Sequence, residues 1–287
     1  MSASAPVFSR RRALTLGLQA GLVLGCTCFF PAGLLASSAG GLGRGKHGGR
    51  PPADVGGAQA ARMRADFDAV SQGVAAMLTP RLGQAGAQNV ARGARERFSA
   101  LLPDIPDIGP GNRNAESLLE AVWLTAITQA MLASPSGGLT HRDAGRLFYD
   151  MCAAEMARAP EAEMRAKGKA MFNVVSRAGL AAWARRTQAR KYPGDWVATA
   201  VAGDGATFDI GYDYSQCGAV LFFRAHGVEK VAPYFCLNDF TMSRAQGTGL
   251  TRRHTIGQGD ALCDFRYKLD GPVTQSWETE EPRFRKS

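Results

Sequence analysis

The chain has 287 residues, 45% hydrophobic and 21% charged, enough for one large domain or two small ones, which excludes a disulfide-stapled miniprotein and a globally disordered chain. Lys and Arg number 34 against 25 Asp and Glu, a balance of +9, but residues 1–50 hold Arg10, Arg11, Arg12, Arg44, Lys46 and Arg50 and no acid. Without those six the balance is 28 to 25, or +3, too small for an extensive phosphate-binding surface, so no nucleic-acid partner is expected.

Residues 1–39 read as an export signal. Ser9-Arg10-Arg11-Arg12 precedes a nearly uncharged stretch over 13–36, interrupted by Gln19 and Pro31. Consecutive arginines before a mild, Gly-containing apolar stretch point to twin-arginine export machinery as a partner, and to an exported location, periplasmic or membrane-tethered and facing the periplasm. A membrane anchor through the N-terminus is the alternative, because the stretch approaches the ~20 residues that span a bilayer. Two processing sites compete. Val23-Leu24-Gly25-Cys26 resembles a lipoprotein box, and Ala36-Ser37-Ser38-Ala39 offers the small residues a releasing peptidase needs. Residues 40–57, with eight Gly and two Pro, form a linker that gains little burial for the entropy that ordering would cost. His47 lies inside this linker and reads as solvated.

Residues 58–275 are expected as a single α+β domain, its helical N-terminal half packed with a small antiparallel sheet. Met63, Phe67, Val70, Val74, Met77 and Leu78 recur at helical spacing up to Pro80, which is expected to stop the helix. Val90, Ala94, Phe98 and Leu101 mark a second helix, and Leu118, Val122, Ile127 and Met131 a third. Thr140 with Asp143 forms a capping box before Leu147, Phe148 and Met151. Cys152 falls on this helix among apolar neighbours and reads as a small buried thiol. Another helix is expected from Pro160, breaking near Gly179.

The character changes near Tyr192-Pro193-Gly194-Asp195. Trp196, Val197, Thr199 and Val201 suggest a strand, and residues 208–214 alternate with period two as a second. Residues 219–225 suit a helix, and 227–240 keep helical spacing through Val228, Val231, Phe235 and Cys236. Residues 250–256 and 262–269 read as partner strands around a Gly257-Gln258-Gly259-Asp260 turn, and 276–287 as a flexible tail.

Three of the six cysteines, Cys217, Cys236 and Cys263, fall within 47 residues, beside Asp239, Arg252, Arg253, His254, Asp264 and Arg266. In a helix over 233–241, Cys236 and Asp239 share one face. On physical grounds three readings stay open: a disulfide in an oxidising compartment, a thiolate metal site lacking the usual CxxC pair, or a nucleophilic cysteine activated by a carboxylate or histidine. Asp264 follows Cys263 directly and in a regular strand points to the opposite face.

Three separated motifs carry a family resemblance: Tyr212-Asp213-Tyr214-Ser215-Gln216-Cys217, Pro233-Tyr234-Phe235-Cys236-Leu237-Asn238-Asp239, and Arg253-His254-Thr255 through Cys263-Asp264-Phe265-Arg266. They resemble the C-terminal part of the L-2-amino-thiazoline-4-carboxylic acid hydrolase family. The resemblance implies a small-molecule substrate, a cyclic amidine opened by water at a C–N bond, with family positions at Cys217, Cys236, Asp239, Thr255, Cys263, Asp264 and Arg266. On this reading Cys236 attacks the amidine carbon, with Cys217 and Cys263 as alternative nucleophiles, and Asp239 or His254 supplies the proton. Arg253 or Arg266 pairs with a substrate carboxylate, Thr255 and Asp264 complete the binding set, and no cofactor or metal is expected. Cys236-x-x-Asp239 with a further cysteine is also similar to the site of alkylmercury lyases. An exported thiolate-based binding protein for a metal or small molecule is the non-enzymatic alternative.

Overall fold

The computed structural model describes residues 57–135 and 138–284. The expected export signal, and the linker apart from Gly57, lie outside the described residues. Helix α1 (Gly57–Leu101) doubles back on itself: Phe67 stacks on Phe98 with ring centroids 4.4 Å apart, and Arg95 Nη1 donates to Ser71 Oγ at 3.0 Å. The expected stop at Pro80 is corrected to Gly83, whose φ of 69° only glycine adopts without strain. Helix α2 (Ala115–Leu132) buries residues all round its axis, Leu118, Val122, Trp123, Leu124, Ile127 and Met131 among them, and so forms the centre of the helical half. Helix α3 (His141–Arg158) begins in the expected capping box, Asp143 N donating to Thr140 Oγ1 at 3.2 Å and Thr140 N to Asp143 Oδ2 at 2.8 Å.

Helices α4 (Glu161–Met171) and α5 (Val174–Thr187) replace the single helix expected up to Gly179. Asn173 makes the break. Its side chain accepts from Ser176 N at 2.7 Å as an N-cap, while Gly179 sits inside α5 at the modest cost a helical glycine carries.

Strands β1 (Val197–Ala202) and β2 (Ile210–Gln216) lead into helix α6 (Gly218–Ala225). The helical spacing over 227–240 resolves into a 3-10 turn, the short α7 (Ala232–Phe235) and α8 (Asn238–Gln246), with Cys236 and Leu237 between them in right-handed helical conformation. Strands β3 (Leu250–Thr251) and β4 (Cys263–Tyr267) complete a four-stranded antiparallel sheet of order β1-β2-β4-β3.

The strand expected over 250–256 is only two residues long because side chains take over its backbone bonds. Arg252 N donates to Gln275 Oε1, Arg253 N and His254 N donate to Asp264 Oδ1, and Thr255 N donates to Asp260 Oδ2. The C-terminal segment expected as a flexible tail contains helix α9 (Trp277–Phe284). Trp277 is buried, stacked on Tyr234 at 5.3 Å, while Glu281 pairs with Arg142 at 2.7 Å and Glu278 with Arg146 at 3.3 Å, so an indole and two ion pairs hold the helix to α3 and α7. The fold is α+β. Among the described residues no helix is long and apolar enough to cross a membrane.

Helix α4 meets the end of α8 at Gly168, where a Cβ would run into the Gln246 carbonyl. Alanine at an ordinary helical glycine stabilises by about 1 kcal/mol. Gly168→Ala should instead destabilise by about 1–3 kcal/mol in chemical denaturation, because α4 and α8 must separate. An unchanged or higher midpoint would mean that the two helices are not in close contact.

Candidate active site

The sheet sorts its residues by parity. On β4, Cys263, Phe265 and Tyr267 are buried and alternate with half-exposed Asp264 and Arg266; on β2, Tyr212 and Tyr214 lie on the same buried face. Tyr214 stands opposite Cys263 and Tyr212 opposite Phe265, their rings 4.9 Å apart in the second pair. Cys217 follows β2 as the first residue leading into α6. The next position must be glycine, since a Cβ at Gly218 would meet the Gly194 carbonyl and the Trp196 ring. Cys236 closes α7, and Asp239 lies one turn later in the first turn of α8.

These elements enclose a cavity of about 80 Å³ whose walls include Cys217, Cys236, Cys263, Asp239, Arg252, Tyr212, Tyr214, Tyr267, Trp196 and Met171. At ~10–15 Å³ per water-sized position it suits a small solute, not a polymer.

Arg252 is the residue that sequence reasoning missed. Its side chain is 3% exposed, and its guanidinium carbon lies 5.0 Å from the Phe240 ring centroid and 4.8 Å from that of Phe265. Nη1 donates to Asp239 Oδ2, and Nη2 donates to the Cys236 carbonyl at 2.7 Å. Burial alone would weaken this cation, but Asp239 together with Cys236 and Cys263 more than offsets it and drives the Arg252 pKa upward. A signal was present in the sequence: Arg252 shares parity with buried Leu250, and exposed Thr251 lies between them.

Thr255 Oγ1 donates to Cys236 Sγ at 3.4 Å and lies 3.5 Å from Cys263 Sγ, which also accepts from Ile256 N at 3.2 Å. The three thiols are neutral at rest. Burial pushes Cys236 up to about 12, against the pull of Arg252 and the Thr255 hydroxyl, with Cys263 and Asp239 adding to the rise. Burial also raises Cys263, and burial with the other two thiols raises Cys217, although the amides of Val220 and Ala219 oppose it. Tyr212 is likewise pushed up to about 12 by burial, in spite of the hydrogen bond between its hydroxyl and that of Tyr267 at 3.1 Å. Among the described residues no group of three or more His, Cys, Asp or Glu is gathered closely enough to hold a metal ion.

Five of the expected site residues do not line this cavity, Thr255 among them although its hydroxyl touches the Cys236 and Cys263 sulfurs. His254 is exposed, with Nδ1 3.7 Å from Asp260 Oδ1, and Arg253 is also exposed. Asp264 spends Oδ1 on the backbone amides of Arg253 and His254 and so shapes the loop that carries Arg252 and Thr255. Arg266, on the outer sheet face, pairs with Asp213 at 2.7 Å and lies 5.4 Å from the Phe208 ring centroid. Cys152 is fully buried against Met242 and Met156, but the expectation of a buried thiol is corrected: it is disulfide-bonded, and Cys217, Cys236 and Cys263 are the free cysteines among the described residues.

Raised thiol and phenol values have a consequence for stability. Cys236 ordinarily titrates near 9 and here near 12, so above pH 9 the unfolded chain loses a proton that the folded chain keeps. This contribution is full below pH 9 and is lost as pH rises toward 12. Denaturation midpoints should therefore fall across that alkaline range, and Cys236→Ala should make the fall shallower. A slope identical in the variant would show that Cys236 ionises at its ordinary pH.

The sequence profile of the L-2-amino-thiazoline-4-carboxylic acid hydrolase family matches residues 118–267, more than half of the chain. No curated protein and no solved structure matches it. The matched span begins in α2, ends with β4, and contains every thiol of the cavity together with Asp239, Arg252 and Thr255. The chain belongs to the L-2-amino-thiazoline-4-carboxylic acid hydrolase family.

Proposed function

We propose that this protein hydrolyses a small cyclic amidine, of the 2-amino-thiazoline-4-carboxylate type, by covalent catalysis at Cys236. The observation that carries the reading is the meeting of Cys236, the Asp239–Arg252 pair and two further thiols on one small cavity within the family-matched span. Membership of a hydrolase family supports hydrolysis, and the cavity's size supports a small substrate.

In the first half-reaction the Cys236 thiol gives its proton to the Asp239 carboxylate as its sulfur adds to the amidine carbon. The ring C–N bond then breaks, and the departing nitrogen takes the proton from Asp239, leaving a thioimidate on Cys236. In the second, water adds to the same carbon and gives a proton to Asp239. Collapse expels the Cys236 sulfur, which recovers a proton, and the carbon leaves as a carbamoyl group. Water is consumed once, and no oxidant or reductant is needed.

Arg252 supports the first step in two ways. It anchors the Asp239 side chain one turn from Cys236, and its positive charge favours the thiolate over the thiol. The neutral resting thiol then suits an enzyme whose nucleophile ionises only as substrate enters, when the cationic amidine adds its charge to that of Arg252. Neither Arg253 nor Arg266 is assigned the substrate carboxylate, because both lie away from the cavity. The consecutive arginines at residues 10–12 and the apolar stretch after them support a site of action beyond the cytoplasmic membrane.

The test is a screen of cyclic amidines and thiazolines with the purified protein and its variants. Cys236→Ser should keep its melting temperature and lose kcat by ~100-fold or more, since a serine hydroxyl is hardly ionised where a thiol is. Asp239→Asn should lower kcat with a smaller effect on KM. Full activity in Cys236→Ser would overturn the assignment of the nucleophile. Inactivation confined to Cys217→Ser or Cys263→Ser would move that role to the residue concerned.

A further inference from the structure

The corner between α4 and α5 breaks two local rules of helix design. Val174 and Val175 open α5, where small polar and acidic residues are favoured, and the first turn holds no acid. They are 82% and 74% exposed, about twice as exposed as Met77 and Leu132, the other exposed large apolar side chains among the described residues. Two β-branched residues in water at a helix start help neither the helix nor the core.

The segment that carries them is basic, although Glu116 acts electrostatically on Lys167, Asp209 acts on Arg177, and Arg165 lies 3.8 Å from Glu161. Residues 165–191 hold eight Lys and Arg and no Asp or Glu, and all eight basic side chains are exposed. Arg177 is fixed at the corner itself, Nε donating to the Phe172 carbonyl at 3.0 Å. Lys169 lies in the last turn of α4 and Lys167 two residues before it; none of these three is in a salt bridge among the described residues. Met171, on the α4 side of the corner, lines the cavity.

From the apolar pair and its basic surround we infer that the α4–α5 corner docks onto an anionic lipid bilayer, Val174 and Val175 entering the interface while Lys167, Lys169 and Arg177 meet the headgroups. An exposed apolar tip inside a wholly basic segment matches a surface that is apolar beneath and negative above, which is what such a bilayer presents. Docking here sets the Met171 wall of the cavity beside the membrane. The inference stands apart from the proposed chemistry.

The apolar stretch over 13–36 can itself bind vesicles, so the experiment reads the corner locally. Amide hydrogen exchange of the full chain is followed over residues 172–178 with vesicles of phosphatidylglycerol and with vesicles of phosphatidylcholine. Exchange at the corner should slow with the anionic vesicles, recover in high salt, and stay unchanged with the zwitterionic ones. In Val174→Asp/Val175→Asp, with melting temperature retained, the vesicle concentration giving half-protection should rise by at least about tenfold. Vesicle binding with no protection at the corner, or protection equal in the double variant, would overturn the inference. So would protection that depends on protein concentration without vesicles, which would assign the corner to a second copy of the chain.

Discussion

The pairing of Arg252 with Asp239 is the constraint on which the site depends. A guanidinium at 3% exposure must be compensated, and only a carboxylate with additional hydrogen-bond acceptors does so at acceptable cost. Asp239 and the Cys236 carbonyl supply both from α8 and the end of α7, and the Phe240 and Phe265 rings pack against the cation. Stripping a buried ion of its partner typically costs about 3–5 kcal/mol, so the loop after β3, the start of α8 and the β4 face are locked to one another. Cys236 and Cys263, joined through Thr255, inherit their positions from that lock.

A second organising feature is the period of two in the sheet. On the inner face lie Cys263, Phe265, Tyr267, Tyr212 and Tyr214, a set that is apolar or reluctant to ionise. On the outer face Asp213 and Arg266 neutralise each other, and Asp264 is engaged with backbone amides. One residue step therefore separates groups exposed to cavity chemistry from groups that fix loop geometry. The cavity is left with a single charged pair among apolar and neutral polar walls, where a charge brought by a ligand is screened less than in water.

The helical half contributes support more than chemistry. Helix α2, buried on every side, and the doubled-back α1 form a rigid backing for α6 and α3. Against this backing α3, α6, α7 and α9 meet through aromatic contacts such as Phe148 with Phe235, Phe223 with Phe235, and Trp277 with Tyr234. Only Asn114, Ser117 and Met171 reach the cavity from this half, and Asn114 accepts a long hydrogen bond from the Tyr214 hydroxyl at 3.5 Å.

The sequence by itself determined what repeats over short range. The helical half, the alternating strands around Tyr212 and Cys263, the Thr140–Asp143 cap and the opposed faces of Cys263 and Asp264 all follow from periods of 3.6 and 2 and from residues acting on near neighbours. The three motifs with cysteine and aspartate were legible in the same way. What only the tertiary structure decided was which of several similar groups met one another. Arg252, Arg253 and Arg266 are chemically equivalent side chains, but the partner that selects Arg252 lies 13 residues back in α8, and Arg266 is claimed across the sheet by Asp213. Breaks fell at Gly83 and Asn173, not at Pro80 and Gly179, because doubling back needed a positive φ and capping needed a side-chain acceptor. The end of the chain became helical because Trp277 found Tyr234 some forty residues away, a long-range burial that no local window contains.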